Sequence, residues 1–136
     1  MRPTYETDEH KSTERKVAEF IAEVYGRELL ELPKYYAADY ALLKDGNLKS
    51  LMEIKCRSIE SDKYLTALCP LDKWVKLMQF SAAGIKTLFV VSYTDKIKYV
   101  PVEQIYNIKV SGRKDRGDKL DMGLHVHVPV NKMVDL

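Results

Sequence analysis

The sequence holds only two cysteines, Cys56 and Cys69, and their separation matches no zinc site and no dithiol redox motif. Cys56 falls inside an apolar strand pattern, so the expectation there is a buried, reduced thiol. Long hydrophobic runs are also missing. None approaches the ~18 apolar residues that a membrane-spanning helix needs, and the first residues are charged from Arg2 onward with no apolar leader core. The reading therefore expects no membrane, no secretory leader and an intracellular location. An excess of one charge is absent as well: 22 Lys and Arg stand against 20 Asp and Glu, a net charge of +2. That balance excludes gripping a polyanion by bulk charge, so any such partner must meet a local basic patch. Repeats, low-complexity tracts and linkers are not found. With 136 residues, 46% hydrophobic and 31% charged, the chain reads as one domain over 1–136 that can bury a sizeable core.

What is present has clear periodicity. Residues 1–12 are polar and patternless and read as a loose arm. Thr13 is placed to cap a helix running to about Tyr25, with Gly26 as its stop. Val17, Phe20, Ile21, Val24 and Tyr25 form one apolar stripe at three- and four-residue steps, and Leu29 to Leu32 extend the packing before Pro33 breaks it. A strand is expected over Ala38 to Leu43, then the turn Lys44-Asp45-Gly46-Asn47, whose Asp-Gly is a hairpin signal. The return strand, Leu48 to Arg57, puts Met52, Ile54 and Cys56 on one face and Leu51, Glu53, Lys55 and Arg57 on the other. Residues 58–69 read as a loop or short extended segment. Pro70 and Asp72 open a second helix that Gly84 closes, with Trp74, Leu77, Met78 and Ala82 as its buried face. Thr87 to Tyr93 is a nearly continuous apolar run, the mark of a strand covered on both sides. Strands at Ile97 to Val102, Ile108 to Val110 and Leu124 to Val128 complete an α/β (α+β) order with a short β-rich tail.

One constellation carries chemistry. Glu53 and Lys55, two apart on a strand, project from the same face, and the Asp-Gly turn folds the strand of Asp39 back beside them. Two carboxylates and an ammonium at one spot call for a neutralising partner, which a divalent cation supplies. Hard oxygen ligands suit Mg²⁺, with Mn²⁺ as substitute, and such an ion is commonly shared with substrate phosphate. Lys55 is then placed to orient an attacking water or to offset charge in the transition state.

These residues resemble the PD-(D/E)XK nuclease superfamily: Asp39, then Glu53-Ile54-Lys55 on a hairpin. Within it, the chain looks most like small Holliday junction resolvases and phage-type nucleases. Glu14-Arg15 on the first helix, Glu53 to Arg57 on the strand, and Ser58 and Tyr64 beyond it carry that likeness, which spans about Thr13 to Tyr93. Two departures stand out: Ala38 replaces the proline before the first acid, and Pro33-Lys34-Tyr35-Tyr36 replaces a glycine- and serine-rich loop. The resemblance implies a restriction-endonuclease-like fold, a mixed central sheet flanked by helices. It also implies a DNA nuclease in which Asp39, Glu53 and the carbonyl of Ile54 hold the metal, with Lys55 and Glu14 as further catalytic residues. Branched DNA is the substrate favoured by analogy, a homodimer is what cutting both strands of a junction would require, and the location is cytoplasmic (the host's, for a phage gene).

Lesser signals have plain alternatives. Glu14 lies near the buried side of its helix, and it equally suits a helix N-terminus through the dipole. Arg57, Lys73, Lys76 and Gln79, and Arg113, Lys114 and Arg116 in a charged loop, are candidate contacts to a phosphate backbone; solvated faces are the simpler account. Tyr35, Tyr36 and Tyr40 can stack on bases or pack at the sheet edge. His125 and His127 share a strand face without a third ligand, and are expected to be exposed. Two rivals remain: a non-catalytic nucleic-acid-binding or assembly protein that retains the fold, and a restriction-type or exonuclease activity.

Overall fold

A computed structural model describes residues 8–34, 36–112 and 122–136. In chain order the elements are α1 (Asp8–Tyr25), β1 (Glu28–Glu31), β2 (Tyr40–Lys44), β3 (Asn47–Cys56), β4 (Thr66–Pro70) and α2 (Leu71–Ala82). There follow β5 (Lys86–Ser92), β6 (Ile97–Pro101), β7 (Asn107–Gly112), β8 (Met122–Pro129) and β9 (Val134–Asp135). The main sheet has the order β1-β2-β3-β5-β6-β9, and β4-β8-β7 form a second sheet. Among the described residues only β3 and β5 run parallel, because the chain between them crosses over through β4 and α2; the other pairs in both sheets are antiparallel.

The strict alternation of β3 and β5 builds a core on each side of the main sheet. Met52, Ile54, Leu88 and Val90 pack under Val17, Ala18, Ile21 and Ala22 of α1. Leu51, Phe89 and Val91 meet Trp74 and Leu77 of α2 together with Cys69, Val126 and Val128 of the second sheet. Trp74 is fully buried, and its indole N–H donates to the Gln104 carbonyl at 2.8 Å, which satisfies the one polar group it brings inside.

The β2–β3 turn holds the hairpin in register. Asp45 and Gly46 both have positive φ, 53° and 75°, the backbone twist of a two-residue hairpin loop. No atom lies within 4 Å of where a Gly46 Cβ would point, so any cost of a side chain there is conformational. Gly46→Ala is expected to lower stability by about 1 kcal/mol, read as a shift in the urea midpoint. An unchanged midpoint would mean that this turn does not constrain the strands.

Several expectations need correction. The first helix begins at Asp8, so Thr13 is not its cap and residues 8–12 are not a loose arm. Residues 1–7 lie outside the described part. Of the two alternatives for residues 58–69, the extended one holds at their end, where β4 pairs with β8. β2 starts at Tyr40 rather than Ala38, and Ala82 is exposed rather than buried. Leu29 and Leu32 do extend the packing, one against each core cluster, Leu29 from the edge strand β1.

Candidate active site

The site lies on the hairpin's inner strand, on the face turned toward α2. Asp39 stands one residue before β2 and continues its ladder: its N–H donates to the Met52 carbonyl at 2.9 Å, and its carbonyl accepts from Leu32 N–H at 3.0 Å. Its carboxylate Oδ2 accepts from the backbone N–H of Ile54 at 2.8 Å. Asp39 is thereby fastened against β3 at the residue between Glu53 and Lys55.

Glu53 is 1% exposed, an extreme burial for a carboxylate. Two ammonium groups reach its Oε1, Lys73 at 3.1 Å and Lys55 at 3.4 Å. Its Oε2 is buried with no hydrogen-bond partner. Burial pushes the Glu53 carboxyl up to about 7, the negative charge of Asp39 adds to the rise, and Lys55 and Lys73 pull it back. For Lys73, burial works to lower the ammonium's pKa, but Glu53 and then Asp39 outweigh it and hold it above its usual value. The nearby Cys69 thiol is pushed up to about 12, first by burial and then by the charge of Glu53, so Cys69 is no nucleophile at neutral pH.

Among the described residues no group of three or more His, Cys, Asp or Glu side chains is placed to hold a metal ion. An all-protein cage for zinc is therefore not built here. Two adjacent carboxylates, one with an orphaned buried oxygen, match a hard divalent cation that keeps several waters and takes one or two carboxylates. The donor set fits a cation of that class.

The remaining candidates are distributed unevenly. Arg57 follows β3 and is exposed; Lys76 and Gln79 are exposed on α2. Lys73 alone of that helical stripe turns into the site, a contact that its helical position did not signal. Glu14 is half-buried on α1, the helix covering Met52 and Ile54, whereas Glu53 and Lys55 point to the other face. Its charge acts on Tyr40 and Cys56. Arg113, Lys114 and Arg116 lie outside the described residues, as does Tyr35.

Of the tyrosines near Asp39, Tyr40 packs, as the second alternative had it: it is 3% exposed in the α1-side core; Tyr36 is exposed and stacks on Phe80 with ring centroids 5.7 Å apart. Two further expectations change. Cys56 is half-buried rather than buried, and free; burial and the charge of Glu14 push its thiol up to about 11. His125 and His127 are half-buried, not exposed. The His127 ring is engaged on both nitrogens, by the Thr66 hydroxyl at 3.3 Å and the Ser111 hydroxyl at 3.0 Å, because β8 is the middle strand of its sheet.

Comparison with known proteins adds to this geometry. The family model described as "Phage putative PDDEXK endonuclease" matches residues 1–136. No curated protein matches the sequence. Among solved structures the chain is similar to Hjc of Archaeoglobus fulgidus, a Holliday junction resolvase from an archaeal hyperthermophile. The TM-score is 0.61 at 9% identity, over 92% of this chain and 90% of that one. At that identity the likeness is one of fold, a mixed central sheet of restriction-endonuclease type with helices against it.

Proposed function

The chain belongs to the phage PDDEXK endonuclease family, and from that premise we propose that it is a divalent-cation-dependent DNA nuclease centred on Asp39, Glu53 and Lys55. The observation that carries this reading is Glu53: a carboxylate 1% exposed, with one oxygen held by two lysines and the other unpartnered. Leaving a buried acceptor unsatisfied costs about 1–3 kcal/mol, and a chain keeps such a defect most readily where a ligand completes it.

Asp39, Glu53 and the Ile54 carbonyl would hold Mg²⁺, with Mn²⁺ as substitute. When bound, the ion supplies Lewis-acid polarisation of the phosphoryl group and lowers the pKa of water in its shell. Lys55 donates an N–H to the attacking water and offsets the negative charge that builds on the phosphoryl oxygens. The new bond forms between the water oxygen and phosphorus, and the bond to the leaving sugar oxygen breaks. Arg57, Lys73 and Lys76 face the flanking phosphates. Glu14, on the far side of the sheet, is a candidate only for an outer position around the metal.

The solved relative's description as a Holliday junction resolvase makes branched DNA the first substrate to try, and a homodimer its natural cutting unit. The test is cleavage of end-labelled four-way junction, flap, duplex and single-stranded DNA with Mg²⁺, Mn²⁺ or EDTA. Cutting is expected with either ion and none with EDTA, with the junction cut fastest. Binding without cutting in either ion would overturn the nuclease reading in favour of a non-catalytic DNA-binding protein. Release of mononucleotides from ends would make it an exonuclease.

A further inference from the structure

Nothing in helix formation asks for a lysine at position 73. It sits in the first turn of α2, whose N-cap Pro70 offers no side-chain cap, at the positive pole where an ammonium is disfavoured. Its stem instead brings Nζ to 3.1 Å from Glu53 Oε1, closer than the 3.4 Å of Lys55, which shares a strand with Glu53. The Lys73 side chain is 28% exposed against 1% for Glu53, so the ammonium has a path to solvent that the carboxylate lacks.

We infer that Lys73 is a built-in counter-cation. It neutralises Glu53 while no divalent cation is bound; a cation taken up by the site drives the ammonium off Glu53 toward the DNA phosphate. Cation and DNA then tighten each other's binding. This rests on the nuclease reading above and adds to it a coupling between the two ligands.

The charges of the cluster dictate the coupling. With Glu53 ionised, as at the pH 8 of the test below, the carboxylates of Asp39 and Glu53 cancel the ammoniums of Lys55 and Lys73, so the metal-free site is neutral. A divalent cation at the open Oε2 leaves two positive charges in excess in a poorly hydrated place, where repulsion is little screened. Both ammoniums can reach solvent, Lys55 at 29% and Lys73 at 28% exposed, and Lys73, the nearer to Oε1 at 3.1 Å, is the one that an ion on Glu53 repels more strongly. A phosphate backbone across the site removes the excess, and linkage makes the effect reciprocal.

The experiment measures Mn²⁺ uptake by loss of the free-ion paramagnetic resonance signal at pH 8. It compares wild type with Lys73→Met, Lys86→Met (an exposed lysine at the start of β5) and Glu53→Gln, each checked for folding by circular dichroism. Each protein is measured without DNA and with a short phosphorothioate duplex, which resists hydrolysis. Lys73→Met keeps the apolar stem and removes the charge; Lys73→Gln stands in should the Met variant not fold. Without DNA, Lys73→Met is expected to bind Mn²⁺ about tenfold tighter than wild type, while Lys86→Met matches wild type. The ammonium's field acts twice on a divalent ion and once on a competing proton, so the gain survives proton competition. With DNA, wild type tightens and the gap to Lys73→Met narrows. Equal or weaker DNA-free binding in both Lys73 variants overturns the counter-cation, even if wild type binds one ion that Glu53→Gln loses, an outcome that leaves the nuclease site standing. If wild type takes up no Mn²⁺ with or without DNA, both readings fall.

Discussion

Glu53→Gln is expected to fold and to cut DNA at least about a thousandfold more slowly than wild type, a loss of roughly 4 kcal/mol in transition-state stabilisation. The amide has the shape of the carboxylate, so the packed surroundings of a side chain 1% exposed are kept. What changes is charge and donor sense. Facing two ammoniums at 3.1 and 3.4 Å, the amide must turn its oxygen toward them, which points its N–H₂ at the position of the orphaned Oε2. A hydrogen-bond donor then occupies the place where a metal needs an acceptor. Lys55→Ala is expected to fall by about a hundred- to a thousandfold through loss of one positioned donor. That variant's metal affinity is expected not to fall, because losing an ammonium beside Glu53 removes repulsion from the ion. The measurements are single-turnover cleavage rates at saturating Mg²⁺, alongside circular dichroism. A Glu53→Gln protein that cuts within tenfold of wild type would place the chemistry elsewhere.

The hairpin was legible in the sequence for a physical reason. A two-residue Asp-Gly loop fixes register, and period-two alternation along β3 assigns Leu51, Glu53 and Lys55 to one face without reference to the rest of the fold. The contact of Lys73 with Glu53 was not legible in the same way. It depends on where the crossover sets α2 down, and that is decided by Trp74 and Leu77 packing on Phe89 and Val91. A helical stripe of Lys73, Lys76 and Gln79 reads as one surface, yet only its member in the first turn faces the sheet. β4 was legible only as one of two alternatives, a loop or a short extended segment, because Thr66 to Pro70 pair with β8, some sixty residues on, and no local pattern reports such a partner. β1, four residues at the sheet edge with one face open, lacks the length that makes alternation visible.

The buried Glu53 carboxyl also makes a large prediction in the metal-free protein. Its pKa stands at about 7 in the folded chain against an ordinary 4.5. Between those values the folded state holds a proton that the unfolded state has released, so stability falls as pH rises through the window. The contribution of the protonated carboxyl is fully present below about 4.5 and gone above about 7. The shift corresponds to about 3 kcal/mol, or roughly 10 °C in Tm for a domain of this size. Glu53→Gln cannot release that proton. In EDTA, its Tm minus that of wild type is therefore expected to grow steadily from pH 5 to pH 8. A divalent cation can take the proton's place, because it compensates the same buried charge. Mg²⁺ should then raise the wild-type Tm at pH 8 far more than at pH 5, following mass action, and should leave Glu53→Gln nearly unmoved at either pH. If the two EDTA curves run parallel across the window, Glu53 is not the titrating group. If they diverge but Mg²⁺ restores nothing at pH 8, the carboxylate is buried for some reason other than holding a metal.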